Sequence, residues 1–234
     1  MKKTTVLLTC AGLALSLSAT RAGDITGAIT LKGAPPAEKE IDMGSDAHCG
    51  NPASKPTTHH YIVGAKGELA NVVVYLEGVS GPSTGASAPA AVLDQKGCEY
   101  SPSILAVQTG QKILVKNSDP TMHNVHDIPA DGSGNKEYNQ AQLPGSADLT
   151  FTFAKPEMFL KFKCDVHQWM FAWVCVFDHP YFAVSAADGS FKIPNVPPGK
   201  YTLVAAHRKA GTAKQEIEVK GPEAVKTDFT LEAK

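Results

Sequence analysis

Polar and apolar residues alternate along much of the chain. Ile25, Ile29 and Leu31 are interleaved with Thr26, Ala28 and Thr30; Leu149, Phe151 and Phe153 with Asp148, Thr150 and Thr152; Ile217 and Val219 with Glu216, Glu218 and Lys220. Successive side chains of a strand point to opposite faces, so this period of two predicts strands lying half in a core. Residues 72–76, 104–107, 113–115 and 172–177 are short apolar runs, which fits strands more deeply buried between layers. Asp188-Gly189, Pro197-Pro198-Gly199 and Asp131-Gly132-Ser133-Gly134 supply the fixed or positive φ that tight reversals need. The pattern predicts an all-β protein of about a dozen strands, arranged as sandwiches. Residues 80–90 break it: small, flexible and nearly uncharged, they have the composition of a linker or exposed loop, and a domain boundary is expected there.

Composition narrows the class. A chain of 234 residues suffices for one large or two small domains. With 43% hydrophobic and 19% charged residues, and 20 Gly and 16 Pro along its length, it is a poor match to a long-helix protein, a disordered chain or a polytopic membrane protein. The formal charge of −1 gives no basic footprint, so no nucleic-acid partner is expected. Lys2 and Lys3, the apolar stretch 6–19 and the small residues Thr20 and Ala22 read as a signal peptide over residues 1–22, cleaved after Ala22. The mature chain is therefore expected in the periplasm or secreted, with no membrane span. Cys10 leaves with the signal; Cys49, Cys98, Cys164 and Cys175 remain where disulfides persist.

The chemistry is concentrated in residues 159–177, FLKFKCDVHQWMFAWVCVF. Alternation places Leu160, Phe162 and Cys164 on one strand face and Lys161 and Lys163 toward solvent. Cys164, His167 and Met170 then follow at intervals of three on one tight loop. Soft sulfur donors with imidazole select copper over zinc or magnesium, and a further histidine would complete a Cys-His-His set with a weak axial methionine. His123, where the strand 113–115 has given way to a turn, is the expected fourth ligand. His126 is its competitor, and alternation allows only one of them to reach the Cys164 loop. Four protein ligands leave no open position for a substrate, so electron transfer is expected rather than catalysis. No phosphate loop, nucleophile elbow or haem-attachment pattern suggests an enzyme.

The remaining candidates have plainer readings. Cys175 lies about four residues along the strand from the position opposite Cys164, roughly 13 Å at ~3.3 Å per residue, which exceeds disulfide reach; it is expected to be a buried small hydrophobe. A Cys49–Cys98 disulfide is expected instead. His59, His60, His179 and His207 lack soft partners and are expected on the surface or hydrogen-bonded in a core. Trp169, between two ligands, is expected as an exposed apolar rim for a redox partner, and Asp165 as solvated.

His123-Asn124-Val125 followed by Cys164-Asp165-Val166-His167-Gln168-Trp169-Met170 resembles the cupredoxins, with the short spacings of their amicyanin-like members. Over roughly residues 90–178 the resemblance implies a Greek-key sandwich with one copper ion at one end, a type 1 site of His123, Cys164, His167 and Met170, and Asn124 bracing the cysteine loop. Phe171-Ala172 departs from the family pattern, which has a residue and then Gly. The resemblance also implies a partner protein, a dehydrogenase or a cytochrome. Residues 23–29, 69–76 and 187–203 resemble a carboxypeptidase regulatory-like, transthyretin-like sandwich. The two likenesses together imply a sandwich in two pieces, 23–84 and 180–234, with a copper domain at 85–179 inserted in it or adjacent to it, and no peptidase activity. A blue copper electron shuttle is the leading reading. A periplasmic copper carrier and an envelope-associated structural protein with a lapsed site are the alternatives.

Overall fold

The computed structural model describes residues 21–44, 48–49, 56–81 and 83–234. Nearly all of the expected signal peptide lies outside the described residues. Two strands come first, β1 (Gly23–Lys32) and β2 (Val73–Glu77). Nine follow: β3 (Ala91–Gln95), β4 (Tyr100–Ser101), β5 (Ile104–Gln108), β6 (Ile113–Asn117), β7 (His123–Ile128), β8 (Tyr138–Gln142), β9 (Leu149–Phe151), β10 (Glu157–Lys163) and β11 (Phe171–Phe177). Six complete the chain: β12 (Phe182–Val184), β13 (Ser190–Val196), β14 (Gly199–His207), β15 (Gly211–Val219), β16 (Val225–Lys226) and β17 (Phe229–Glu232). The only helical piece among the described residues is one 3-10 turn, Gly85–Ser87. The protein is all-β, no barrel closes, and no described helix is long and apolar enough to cross a membrane.

Pairing divides these strands into two sets. β3 to β11 pair only with one another, in the orders β5-β11-β10-β7-β8 and β4-β3-β6-β9. β1, β2 and β12 to β17 form the other sheets, β13-β1-β16 with β17 also on β1, and β12-β2-β14-β15. Each set encloses its own core. Leu93, Ile113, Val115, Leu160, Phe162 and Val174 fill the inner one; Ile25, Ile29, Leu69, Leu76, Ile193 and Leu203 fill the outer one. A third cluster, with Val73, Ile104, Cys175 and Phe177, seals the seam between the sets.

β11 explains its own composition. Ala172, Val174 and Val176 face the inner core, while Cys175 and Phe177 face the seam with Trp173 packed beside them. Both faces are covered, so the run 172–177 has no polar alternate. Most described residues of the stretch 80–90 are exposed, as a linker or loop would be, but its middle is pinned to the inner set. Ser83 Oγ donates to Thr109 O at 2.8 Å and Thr84 N to Gln108 Oε1 at 3.0 Å, and Gly85 is buried. A Cβ at Gly85 would lie 2.2 Å from Thr109 O, so glycine serves close packing there and not flexibility.

The chain between β1 and β2 crosses to the inner set. Glu38 anchors this crossing segment, accepting Thr58 Oγ1 at 2.6 Å, His60 N at 3.0 Å and Tyr61 N at 2.6 Å. Met43 and Cys49 are buried in the inner core. The Cys49–Cys98 disulfide, expected from the sequence, ties the segment down.

Candidate metal centre

The inner set gathers its chemistry at one end. β10 pairs with β11 through Phe162↔Ala172 and Lys163↔Phe171, so the chain reverses over residues 164–170. Cys164 N donates to Met170 O at 3.1 Å and Met170 N to His167 O at 2.9 Å, which closes the loop tightly. On β7, His123, Val125 and Asp127 point inward. Exposure is 0% for His123 and Cys164, 3% for His167 and 1% for Met170.

Three donor atoms converge. Cys164 Sγ lies 3.7 Å from His167 Nδ1 and 4.0 Å from His123 Nδ1, and the two Nδ1 atoms are 2.9 Å apart. A transition-metal ion with bonds of about 2.0 Å to nitrogen and about 2.3 Å to sulfur holds its donors roughly 3–4 Å apart, so the triangle fits one ion. Protonation agrees. His123 Nε2 sits 2.9 Å from Asp119 Oδ2 and so carries the proton, which leaves a lone pair on Nδ1 facing Cys164. Met170 lies buried in the same core cluster as Cys164.

The surrounding bonds fix these ligand candidates. Asp119 Oδ1 accepts Gly97 N at 2.6 Å and Asp119 Oδ2 accepts Cys98 N at 2.9 Å. Gly97 and Cys98 both have positive φ, 66° and 56°, a conformation costly for cysteine. One carboxylate thus holds the strained turn and orients His123. Its position four residues before His123 was the available signal, and the sequence reading gave it no role. Asn124 Oδ1 accepts Asp165 N, and Asn124 Nδ2 donates to Asp165 Oδ2 at 3.0 Å and Asn139 Oδ1 at 2.7 Å. Tyr100, also passed over, places its hydroxyl 3.4 Å from Lys163 O.

Two expectations are refined and one is overturned. Asp165 is exposed, as expected, but also engaged: the Lys163 ammonium at 2.6 Å, with His126, Asn139 and Asn124, holds its carboxyl well below the usual carboxylate range. Lys163 is accordingly partly buried in an ion pair. Trp169 is half-buried, its Nε1 donating to Cys98 O at 3.0 Å and its ring 5.2 Å from that of His167. It braces the loop and forms no exposed rim; the exposed apolar side chains beside the ligand candidates are Val166 and Met122, at 51% and 37% exposure.

The disulfide covers the outer edge of His167. Cys49 Sγ lies 3.5 Å from His167 Nε2. Cys98 also clusters with Asp119 and His123, but its sulfur is bonded to Cys49 and offers no thiolate. His126 stands apart, with Nδ1 on Asp165 at 2.8 Å and Nε2 on Glu137 at 2.6 Å. Burial alone would lower its pKa, and the two carboxylates outweigh burial and raise it.

Cys175 is free and buried, with burial pushing its thiol up to about 12. Cys164 is free as well, so the two are not paired. Of the other histidines, His59 meets Glu99 at 3.5 Å and His60 is half-buried. His179 Nδ1 accepts Tyr181 N at 3.1 Å, and His207 Nδ1 accepts Ala210 N at 3.0 Å.

No family model matches the chain, and no curated protein matches it. Among solved structures, a Cu-containing nitrite reductase from Thermus scotoductus SA-01 is similar at 18% identity, over 42% of this chain and 28% of its own, with a TM-score of 0.35. A Cu(I) amicyanin mutant is similar at 22% identity, over 44% of this chain and 97% of its own, with a TM-score of 0.33. A purple cupredoxin from Nitrosopumilus maritimus is similar at 23% identity, over 37% of this chain and 98% of its own, with a TM-score of 0.31. Each aligns with less than half of this chain, and the chain spans less than a third of the nitrite reductase.

Proposed function

We propose that the protein is an exported type 1 copper protein that passes single electrons to or from a redox partner protein and catalyses no reaction of its own. The observation that carries this reading is the convergence of Cys164 Sγ with the Nδ1 atoms of His123 and His167, at 2.9–4.0 Å, in a buried site. Cys164, His123 and His167 would hold the ion as strong donors, and the buried thioether of Met170 would be a weak one. A copper ion held there supplies one-electron cycling between Cu(II) and Cu(I), which the thiolate, imidazole and thioether set accommodates in both states. Asp119 keeps the His123 ring oriented, Asn124 and Lys163 fix Asp165 and with it the start of the loop, and Tyr100 and Trp169 pack around it.

Burial separates this reading from that of a copper carrier. A carrier must hand over its metal, which calls for accessible donors; here His123, Cys164 and His167 are sealed, and the outer edge of His167 is covered by Cys49. Copper-loaded protein is expected to show an intense visible thiolate-to-copper absorption, and Cys164→Ser is expected to abolish it. A variant that keeps the band would overturn the ligand assignment, and rapid transfer of copper to a chelator would favour the carrier.

A further inference from the structure

We infer that the seam between the two sets of sheets carries a binding site for a small multivalent oxyanion. A cleft of about 230 Å³ opens there beside Trp173, and none of the four metal-ligand candidates lines it. Separate stretches of chain converge on it: His60 from the crossing segment, Lys161 from β10, and Arg208 and Lys209 from the turn between β14 and β15.

The cations are positioned but not neutralised. The Arg208 guanidinium lies 3.6 Å over the Trp173 ring, and Lys161 Nζ is 5.9 Å from the ring centres of Phe171 and Trp173. Stacking uses the face of the guanidinium and leaves its N–H donors, which lie in the plane, available at the edges. Lys161, Arg208 and Lys209 make no ion pair with any carboxylate among the described residues. Two carboxylates stand in the neighbouring segments: Glu99 meets His59 at 3.5 Å, and Glu38 accepts Thr58 Oγ1 and two backbone N–H groups, which engages its oxygens but leaves its charge, and neither pairs with Lys161, Arg208 or Lys209.

The turn that presents Arg208 and Lys209 is braced from beneath. His207 Nδ1 accepts Lys209 N at 3.3 Å and Ala210 N at 3.0 Å, and its buried ring packs against Tyr61. Gathering like charges opposes folding unless a counter-charge is supplied. That cost is visible at His60, whose pKa is pushed down by burial and then by Lys209, partly restored by the Glu38 carboxylate, and lowered further by Arg208 and Lys39. An oxyanion with two negative charges offsets it and suits the arginine fork. The cleft is smaller than the ~300–1,000 Å³ typical of small-molecule sites. Phosphate or a short dicarboxylate therefore fits, and a nucleotide does not.

Calorimetric titration of the purified protein with inorganic phosphate, and separately with succinate, each against sodium chloride at equal ionic strength, tests the site. Saturable binding of at least one of the two anions is expected, and whichever binds identifies the class. Arg208→Gln and Lys209→Gln, both at exposed turn positions, are each expected to weaken binding about tenfold; Lys200→Gln, outside the cleft, is expected to leave it unchanged. The inference is overturned if neither anion binds beyond the chloride control, or if both turn variants bind as well as the unmodified protein. Because the readout is heat of anion binding, it is independent of copper loading.

Discussion

Asp119 shows how much one side chain carries in this molecule. It fixes the proton on His123 Nε2 and clamps the Gly97 and Cys98 N–H groups, so it links a ligand candidate to a strained turn and, through Cys98, to the disulfide. Asp119→Asn is expected to lower copper affinity about 10- to 100-fold while the fold persists, measured by competition with a chelator. Two other buried groups set opposing pH dependences. Burial pushes the Asp127 carboxyl up to about 6, and its Oδ2 has no hydrogen-bond partner. The folded state therefore favours the protonated acid, a contribution complete below about pH 4 and lost as pH rises through 6. Burial pushes His207 down to about 4, so the neutral imidazole is favoured, and that contribution is complete above about pH 6.5 and lost as pH falls toward 4. Each is worth about 1–3 kcal/mol. Asp127→Asn is expected to raise stability at pH 8 relative to pH 4.5, and His207→Asn to lower it at pH 8 more than at pH 4.5, both by urea unfolding. Cys164 and His167 stood out as ligand candidates because their spacing puts both on one tight loop, and His123 because it follows the strand 113–115; the structure brings the three donor atoms together. Asp119 did not stand out, because an aspartate in a turn has many uses.

At the scale of elements, periodicity worked where one face is wet and run length where both are covered. β1 and β15 follow the first rule, and β11 the second, since it lies between the inner core and the seam. β8 escaped both: its residues Tyr138 to Ala141 are exposed, only Gln142 is buried, and it pairs with β7 alone as an edge strand. Within the mostly exposed stretch 80–90, composition did not reveal that Gly85 serves close approach and not mobility. Gly85→Ala is expected to cost about 1–3 kcal/mol in thermal unfolding, because the new methyl meets backbone atoms of Thr109 and Gln111. A neutral result would mean that this stretch moves freely after all.

Over the whole molecule, the pairing of β1 and β2 only with strands that follow β11 supports the proposal that one sandwich is inserted into another. After cleavage within residues 80–90, residues 23–79 are expected to stay associated with 181–234 under native conditions, checked by mass analysis of size-fractionated fragments; separation would refute it. What composition and spacing could not convey is the path of the crossing segment, because its cysteine meets a histidine 118 residues further on. That meeting makes shielding of the imidazole depend on a bond that dithiols break. Thiol–disulfide balance in the surroundings would then govern how readily chelators strip the metal, quickly with Cys49 and Cys98 reduced and slowly with them joined. On the proposed copper reading, loading and retention would be properties of the oxidised chain, and the same polypeptide made in a reducing compartment would hold the metal as a leaky vessel does.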